Sequence, residues 1–377
     1  MKKYNLQKIL IKTVEFKDRI KNNELLPNLT GLRFLLAFLV VIFHVSQFCQ
    51  NRGFPYCNDL ALFNKGEEAV YMFFSLSGFL IIRQLFIEKS VSSSINLKRF
   101  FLRRVVRIFP LYYLVLTFGL VYYRFILPYF GFDYENNYDL VYGIFLSYTF
   151  FPNIYASYSP GGIIEVLWSI GIEEQFYLLF APIFFIIPFK KIIRFLILFT
   201  ILYFIVYFSE VIKFMRNYNM LFFYFSFSGL CSIVSLHKNT KLETFKYLFY
   251  FVFIIYFTTS IFRANLSDFY YHLLSMILFG LTLSSLVEKP IKVLENKLLI
   301  YLGKISYGIY MYHAIMMQFV GFIFLKSNLF LKISNLQSII IFNLLVFIAT
   351  IITAHLSFNY FESYFLNLKY KSIVNKK

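Results

Sequence analysis

The chain has 377 residues, 59% hydrophobic and only 15% charged, with a mean hydropathy of +0.66. Soluble domains run near ~45–50% apolar and ~25% charged, so this composition excludes a water-soluble enzyme. The net charge of +18 sits in short clusters between apolar runs, the positive-inside pattern of a membrane protein and not a nucleic-acid surface. Three cysteines exclude a disulfide scaffold, and the unbroken apolar runs exclude the period-2 alternation of a β-barrel.

Taken in chain order, a basic segment over 1–28 precedes the first apolar run, which has no small-residue cleavage site, so no signal peptide is expected. Ten spans of roughly 20 residues follow at 32–49, 68–87, 108–129, 168–188, 192–209, 217–236, 244–262, 269–287, 301–325 and 336–358. The apolar stretch 140–155 holds Pro152 and runs into Ser159-Pro160-Gly161-Gly162, which is too short and broken for a span. If it does not cross, 29 of the 37 basic residues fall on one side; if it does, the clusters at 189–194, 237–246 and 288–304 face the wrong way. The sequence thus predicts an all-α, polytopic membrane helical bundle of about ten transmembrane helices. Both termini are expected to be cytoplasmic, with a basic tail over 366–377 and a re-entrant or outer-face segment near 140–155. The whole of 1–377 reads as one domain in a cell inner or plasma membrane, with lipid as its first partner and no nucleic acid. Cys49 and Cys57, near the outer end of the first span, either pair or stay as two thiols.

Ionisable groups inside spans are costly and are functional candidates by default. Arg33 and His44 are eleven residues apart, so they share nearly one helix face about 16 Å apart along the axis. A neutral imidazole there suits a base; an interhelical hydrogen bond is the plainer reading. In Phe73-Phe74-Ser75-Leu76-Ser77-Gly78, the small residues allow either a ligand or a neighbouring helix to approach. Arg99, Arg103 and Arg107 form an i, i+4, i+8 stripe flanked by Arg104, suited to phosphates or to anionic lipid headgroups. The segment Trp168 to Tyr177 sets Ser169, Glu173 and Tyr177 on one face, with Glu174 about 100° away. The alternative is an interfacial belt with wet carboxylates. Ser306, Tyr310 and His313 make a last stripe, either a polar-ligand site or interhelical glue. Glu288 and Glu362 read as solvated span ends, and His272 and His355 as structural.

Together these segments resemble the acyltransferase-3 family of multi-pass membrane acyltransferases that modify bacterial surface sugars. The resemblance is carried in order by Leu29-Thr30-Gly31-Leu32-Arg33 with His44, Phe73 to Ile81, Arg103 to Tyr112, Trp168 to Tyr177 and Ser306 to His313. Thr30 and Tyr71 stand where the family carries aspartates, and Glu362-Ser363-Tyr364 departs from its terminal Glu-x-Pro. The resemblance implies an O-acyltransferase that moves an acetyl group from cytoplasmic acetyl-CoA to a hydroxyl of a cell-surface or lipid-linked sugar. His44 and Glu173 would be catalytic, with Glu173 orienting the His44 ring. Arg33, Ser77, Trp168, Glu174, Tyr310 and His313 would meet substrate, and Arg99, Arg103, Arg104 and Arg107 the acyl-CoA. No metal is expected. The alternative is a polysaccharide or proton-coupled transporter or flippase using the same buried His and Glu.

Overall fold

In a hydrocarbon core every backbone polar group must find a partner within the chain, which leaves helices as the solution for apolar runs of this length. The computed structural model describes residues 26–132, 139–236, 242–288 and 290–374, and they contain no strand. Residues 1–25 of the expected basic N-terminal segment and 375–377 of the basic tail lie outside the described residues.

The helices are α1 (Pro27–Asn51), α2 (Gly66–Ser92), α3 (Leu97–Val121), α4 (Leu140–Tyr148), α5 (Trp168–Ile186), α6 (Ile192–Phe208), α7 (Phe222–Val234), α8 (Leu242–Thr258), α9 (Asp268–Glu288), α10 (Ser306–Ser327), α11 (Asn335–Leu356) and α12 (Ser363–Val374). All ten expected spans are helical, and eight helices among the described residues are long and apolar enough to cross a membrane. The other two, α7 and α8, are 13 and 17 residues long. The expected start of the 217–236 span is instead a turn, with Asn219 at φ +51°. Two further boundaries differ. The span expected at 301–325 is broken at Ile305, between the short helix Lys297–Lys304 and α10. The last span does not end near Glu362: a π-helical turn over Ser357–Glu362 joins α11 to α12. The Glu362 carboxylate therefore lies mid-helix and accepts from Ser357 Oγ at 3.2 Å.

The 140–155 stretch does not span. α4 has nine residues, and the chain then breaks at Phe150 (φ +64°) before the one-turn helix Pro152–Tyr155. The exposed carbonyls are covered by protein, as irregular backbone at membrane depth requires. Tyr112 donates to Ser147 O (2.7 Å), Tyr113 to Tyr148 O (3.0 Å) and Gln175 to Phe150 O (2.8 Å).

Small residues set the helix spacing. A Cβ at Gly78 would lie 2.2 Å from the Phe225 carbonyl oxygen, so α2 and α7 meet backbone to backbone. A Cβ at Gly303 would be as tight against Thr30 O (1.9 Å), and this contact locks α1 to the short helix Lys297–Lys304 that precedes α10. We expect Gly78→Ala to cost ~1–3 kcal/mol, as overpacking does, read as a lowered melting temperature of the purified protein in lipid nanodiscs; an unchanged melt would contradict this packing.

Several cations are committed to structure. Lys89 is buried and donates to the carbonyls of Phe184 (2.5 Å), Phe185 (2.9 Å) and Ile187, closing the C-terminus of α5. Arg83 donates to Ser232 O (3.3 Å) and Ser235 Oγ (3.0 Å) at the end of α7. Lys65 pairs with Glu68 at 3.4 Å in a buried site that Tyr271 of α9 completes by donating to Glu68 at 2.6 Å.

Candidate active site

Two polar chambers lie along α2. The first, a cavity of about 190 Å³, is lined by Arg33, Ser77, Arg104, Arg107, Glu173, Tyr177, Ser306 and Tyr310 among others. The second, of about 780 Å³, is lined by His44, Glu67, Tyr71, Trp168 and a set of carboxamides. We call them the basic chamber and the histidine chamber. A thin layer lies between them. Tyr310, whose ring lines the basic chamber, donates to Val166 O (2.8 Å), and its hydroxyl meets Ser169 Oγ (2.7 Å). Val166 and Trp168 line the far side, and Phe74 meets the Trp168 ring edge-on at 5.8 Å.

In the basic chamber, the periodicity of α5 brings Ser169, Glu173 and Tyr177 to one lining face, as the spacing predicts. Ser77 donates to Glu173 Oε1 at 2.5 Å, and Tyr177 hydrogen-bonds both groups. Ser77 and Gly78 are neighbours about 100° apart on the helix, so one serves the chamber and the other the α2–α7 contact. Three guanidiniums face the same space. Arg104 sits over the rings of Tyr177 (5.4 Å) and Phe100 (5.8 Å), and its Nε is buried without a hydrogen-bond partner among the described residues. Arg33 and Arg107 likewise make no hydrogen bond among the described residues. Three like charges held together with open donors are the recognition chemistry of a polyanion such as a phosphate.

The arginines expected as one stripe are split. Arg104 and Arg107 enter the chamber. Arg103 approaches Glu88 at 3.7 Å, and Arg99 lines a separate groove with Glu88 and Asn96. On α3, Arg104 and Arg107, three residues apart, turn to the bundle, while Arg99 and Arg103, four apart, lie toward its edge beside Glu88.

In the histidine chamber, the His44 ring is half-buried and meets not Glu173 but His313. The expected Glu173–His44 pair is not formed, because α1 and α5 carry these residues to opposite sides of the Tyr310 layer. Carbonyl oxygens only accept, so His313 Nδ1, bonded to Tyr310 O, carries a proton. In the neutral ring its Nε2 is then an acceptor, 3.2 Å from His44 Nδ1. His44 Nδ1 also lies 3.1 Å from Val40 O, so it must be the N–H that donates. This leaves the lone pair of neutral His44 on Nε2, the form a general base requires.

The remaining expected site residues fall as follows. Trp168 lines the histidine chamber. Glu174 lines neither chamber; it is buried, and its Oε1 has no partner among the described residues. His272 and His355 line neither chamber: His272 bonds Tyr224 (2.8 Å) and packs behind the chamber residue Tyr71 with ring centroids 5.2 Å apart, and His355 bonds Tyr301. Cys49 and Cys57 are free thiols. Sequence reading missed Glu67. Tyr71, standing where the family carries an aspartate, donates to Glu67 at 3.1 Å, so a carboxylate reaches the chamber from one turn earlier. The i, i+4 spacing of Glu67 and Tyr71 is the signal that would have found it. Among the described residues, no group of three or more His, Cys, Asp or Glu side chains is arranged to hold a metal.

A bundle of apolar helices around two polar chambers, one anion-binding and one carrying a poised histidine, is the architecture of a multi-pass membrane enzyme. A family model described as an acyltransferase domain matches residues 26–357, and the chain belongs to this acyltransferase-3 family. It is similar to the ORF330 protein of Acidianus two-tailed virus, whose name proposes an acetyltransferase, at 25% identity over 271 residues, covering 70% of this chain and 76% of that one. It also matches the peptidoglycan O-acetyltransferase OatA of Listeria monocytogenes, 28% identical over 178 residues. The O-acetyltransferase OatA of Staphylococcus aureus strain NCTC 8325 is 30% identical over 178 residues. These OatA alignments cover 45% of this chain but only 25% and 26% of the relatives. No solved structure matches the chain significantly.

Proposed function

We propose that the chain, as one domain, is a membrane O-acetyltransferase that moves an acetyl group from acetyl-CoA on the cytoplasmic side to a sugar hydroxyl on the other. The acceptor is a cell-surface or lipid-linked glycan. The observation that carries this reading is the His44–His313 pair, which leaves a lone pair on a histidine facing a large polar chamber. The name of the Listeria relative, a peptidoglycan O-acetyltransferase, supports a glycan acceptor. The basic clusters of the sequence orient the chain with the basic chamber toward the cytoplasm.

Arg33, Arg104 and Arg107 would hold the phosphates of the donor, and the orphaned Arg104 Nε fits that role. For the thioester to meet His44, Tyr310 must leave its bonds to Ser169 and Val166, an opening of the kind that couples binding to reaction. His44 Nε2 would take the proton of the acceptor hydroxyl as its oxygen bonds to the acyl carbon. The C–S bond breaks, and the proton passes from His44 to the departing thiolate. His313 steadies the ring through Nδ1. Glu173, with Ser77 and Tyr177, would serve the donor side and not the histidine.

Surface-glycan O-acetyl content, measured by mass spectrometry in the producing strain and in its deletion, tests this. Acetyl should vanish on deletion with the amount of surface glycan unchanged, and a complementing wild-type copy should restore it. Glycan missing from the surface with precursor accumulating inside would instead mark a transporter.

A further inference from the structure

The two chambers differ in charge as sharply as in size. The basic chamber carries three guanidiniums against one carboxylate, Glu173. The histidine chamber reverses this, with Glu67 and Glu165 against Arg52 alone. Arg52 is already engaged, donating to Gln318 at 3.4 Å and lying 5.1 Å over the Phe48 ring. Each carboxylate spends one oxygen locally, Glu67 on Tyr71 and Glu165 on the Gly161 amide at 3.2 Å, and keeps the other for a ligand. Much of the remaining polar wall is carboxamide, including Gln47, Asn51, Asn217 and Asn219, with the hydroxyls of Ser157, Ser159 and Tyr123 beside them. An amide both donates and accepts, which is what a sugar hydroxyl asks of its partners. Trp168, the single tryptophan of the chain, lines this chamber. Phe74 stands edge-on to it at 88°, and its indole N–H makes no hydrogen bond among the described residues. The cavity of about 780 Å³ is of small-molecule size.

We infer that the histidine chamber is a subsite for an uncharged sugar unit stacked on Trp168, and that its carboxylates exclude sugars bearing carboxylate or phosphate groups. This deepens the sugar-acceptor reading and rests on it. Electrostatic repulsion in a partly desolvated cavity disfavours an anion, whereas hydroxyls find carboxylate and amide partners at no charge penalty. A phosphate carried by a lipid-linked acceptor would remain outside the chamber.

Trp168 reports on this site directly, without any need for turnover. The full chain in nanodiscs of zwitterionic lipid would be titrated with maltotriose, with tri-N-acetylchitotriose and with trigalacturonate, following intrinsic fluorescence. At least one neutral trisaccharide should shift the emission saturably, with a Kd at least tenfold below that of trigalacturonate. The double variant Glu67→Gln, Glu165→Gln, checked for an unchanged melting temperature, should bring the two classes within about threefold. Equal or tighter binding of trigalacturonate by the wild type, or no shift with either neutral sugar, overturns the inference. A gap between the classes that persists in the folded double variant removes the carboxylates as its cause and overturns it too. Acyl transfer to a sugar without any Trp168 response would sink the subsite and leave the acyltransferase reading standing. Neutral-sugar binding with no acetyl transfer would do the reverse.

Discussion

Replacing His44 by alanine should lower kcat for acyl transfer by ~10²–10⁴-fold, the usual contribution of a positioned general base, while leaving donor affinity unchanged. The expectation follows from the geometry. His44 lies on the far side of the Tyr310 layer from the three guanidiniums, so its removal touches none of the contacts proposed for the donor's phosphates. The Nδ1–H is held by Val40 O and His313 Nε2, and the base is Nε2. His313→Ala should therefore also reduce kcat, by less than His44→Ala, because it loosens the ring without removing the base. A glutamine at 313 that still accepts from His44 should recover part of the loss. Steady-state kinetics on the protein in proteoliposomes, with labelled acetyl-CoA and membrane glycan, would separate kcat from KM. Transfer at wild-type rate by a folded His44→Ala protein would remove His44 from the mechanism.

Loss of one guanidinium from the basic chamber should weaken donor binding by roughly 10- to 150-fold, the range for a charge-assisted hydrogen bond worth ~1.5–3 kcal/mol. Arg33→Ala and Arg107→Ala should show it most plainly, since neither side chain has a hydrogen bond to the protein among the described residues to lose. Arg104→Ala removes in addition the contacts over Phe100 and Tyr177, so part of its effect will be structural. Arg99→Ala is the discriminating comparison. It lines a separate groove, so donor affinity should stay within about threefold of wild type. Titration of CoA itself, by calorimetry at fixed ionic strength, reads these differences without turnover. A pattern in which Arg99 matters as much as Arg107 would restore the single i, i+4, i+8 stripe and contradict the split seen in α3.

Much of this molecule is legible before any coordinates. Hydropathy and the placement of lysine and arginine marked the helices and identified 140–155 as the stretch that does not cross, because lipid forbids unpaired backbone polar groups. The helical period put Ser169, Glu173 and Tyr177 on one face, and the structure keeps them there. What failed at this level was any statement about a residue on one helix meeting a residue on another. Arg33 and His44 share α1, yet they serve different chambers. Glu173 and His44, the obvious acid and base, never meet. The four arginines of one motif divide between a chamber, an approach to Glu88 and a separate groove.

The physical reason is the range of the forces involved. Membrane insertion, helical periodicity and capping act within one segment and its solvent, so the order of residues determines them. Helix spacing is decided between segments, by contacts such as Gly78 on Phe225 and Gly303 on Thr30, where one missing Cβ lets two backbones touch. Those contacts decide which faces of α1, α2, α5 and α10 enclose space, where Tyr310 divides that space, and so which side of it each charge occupies. The sequence by itself determined a polytopic helical bundle and its family. Only the tertiary packing decided that its polar residues form two chambers of opposite charge.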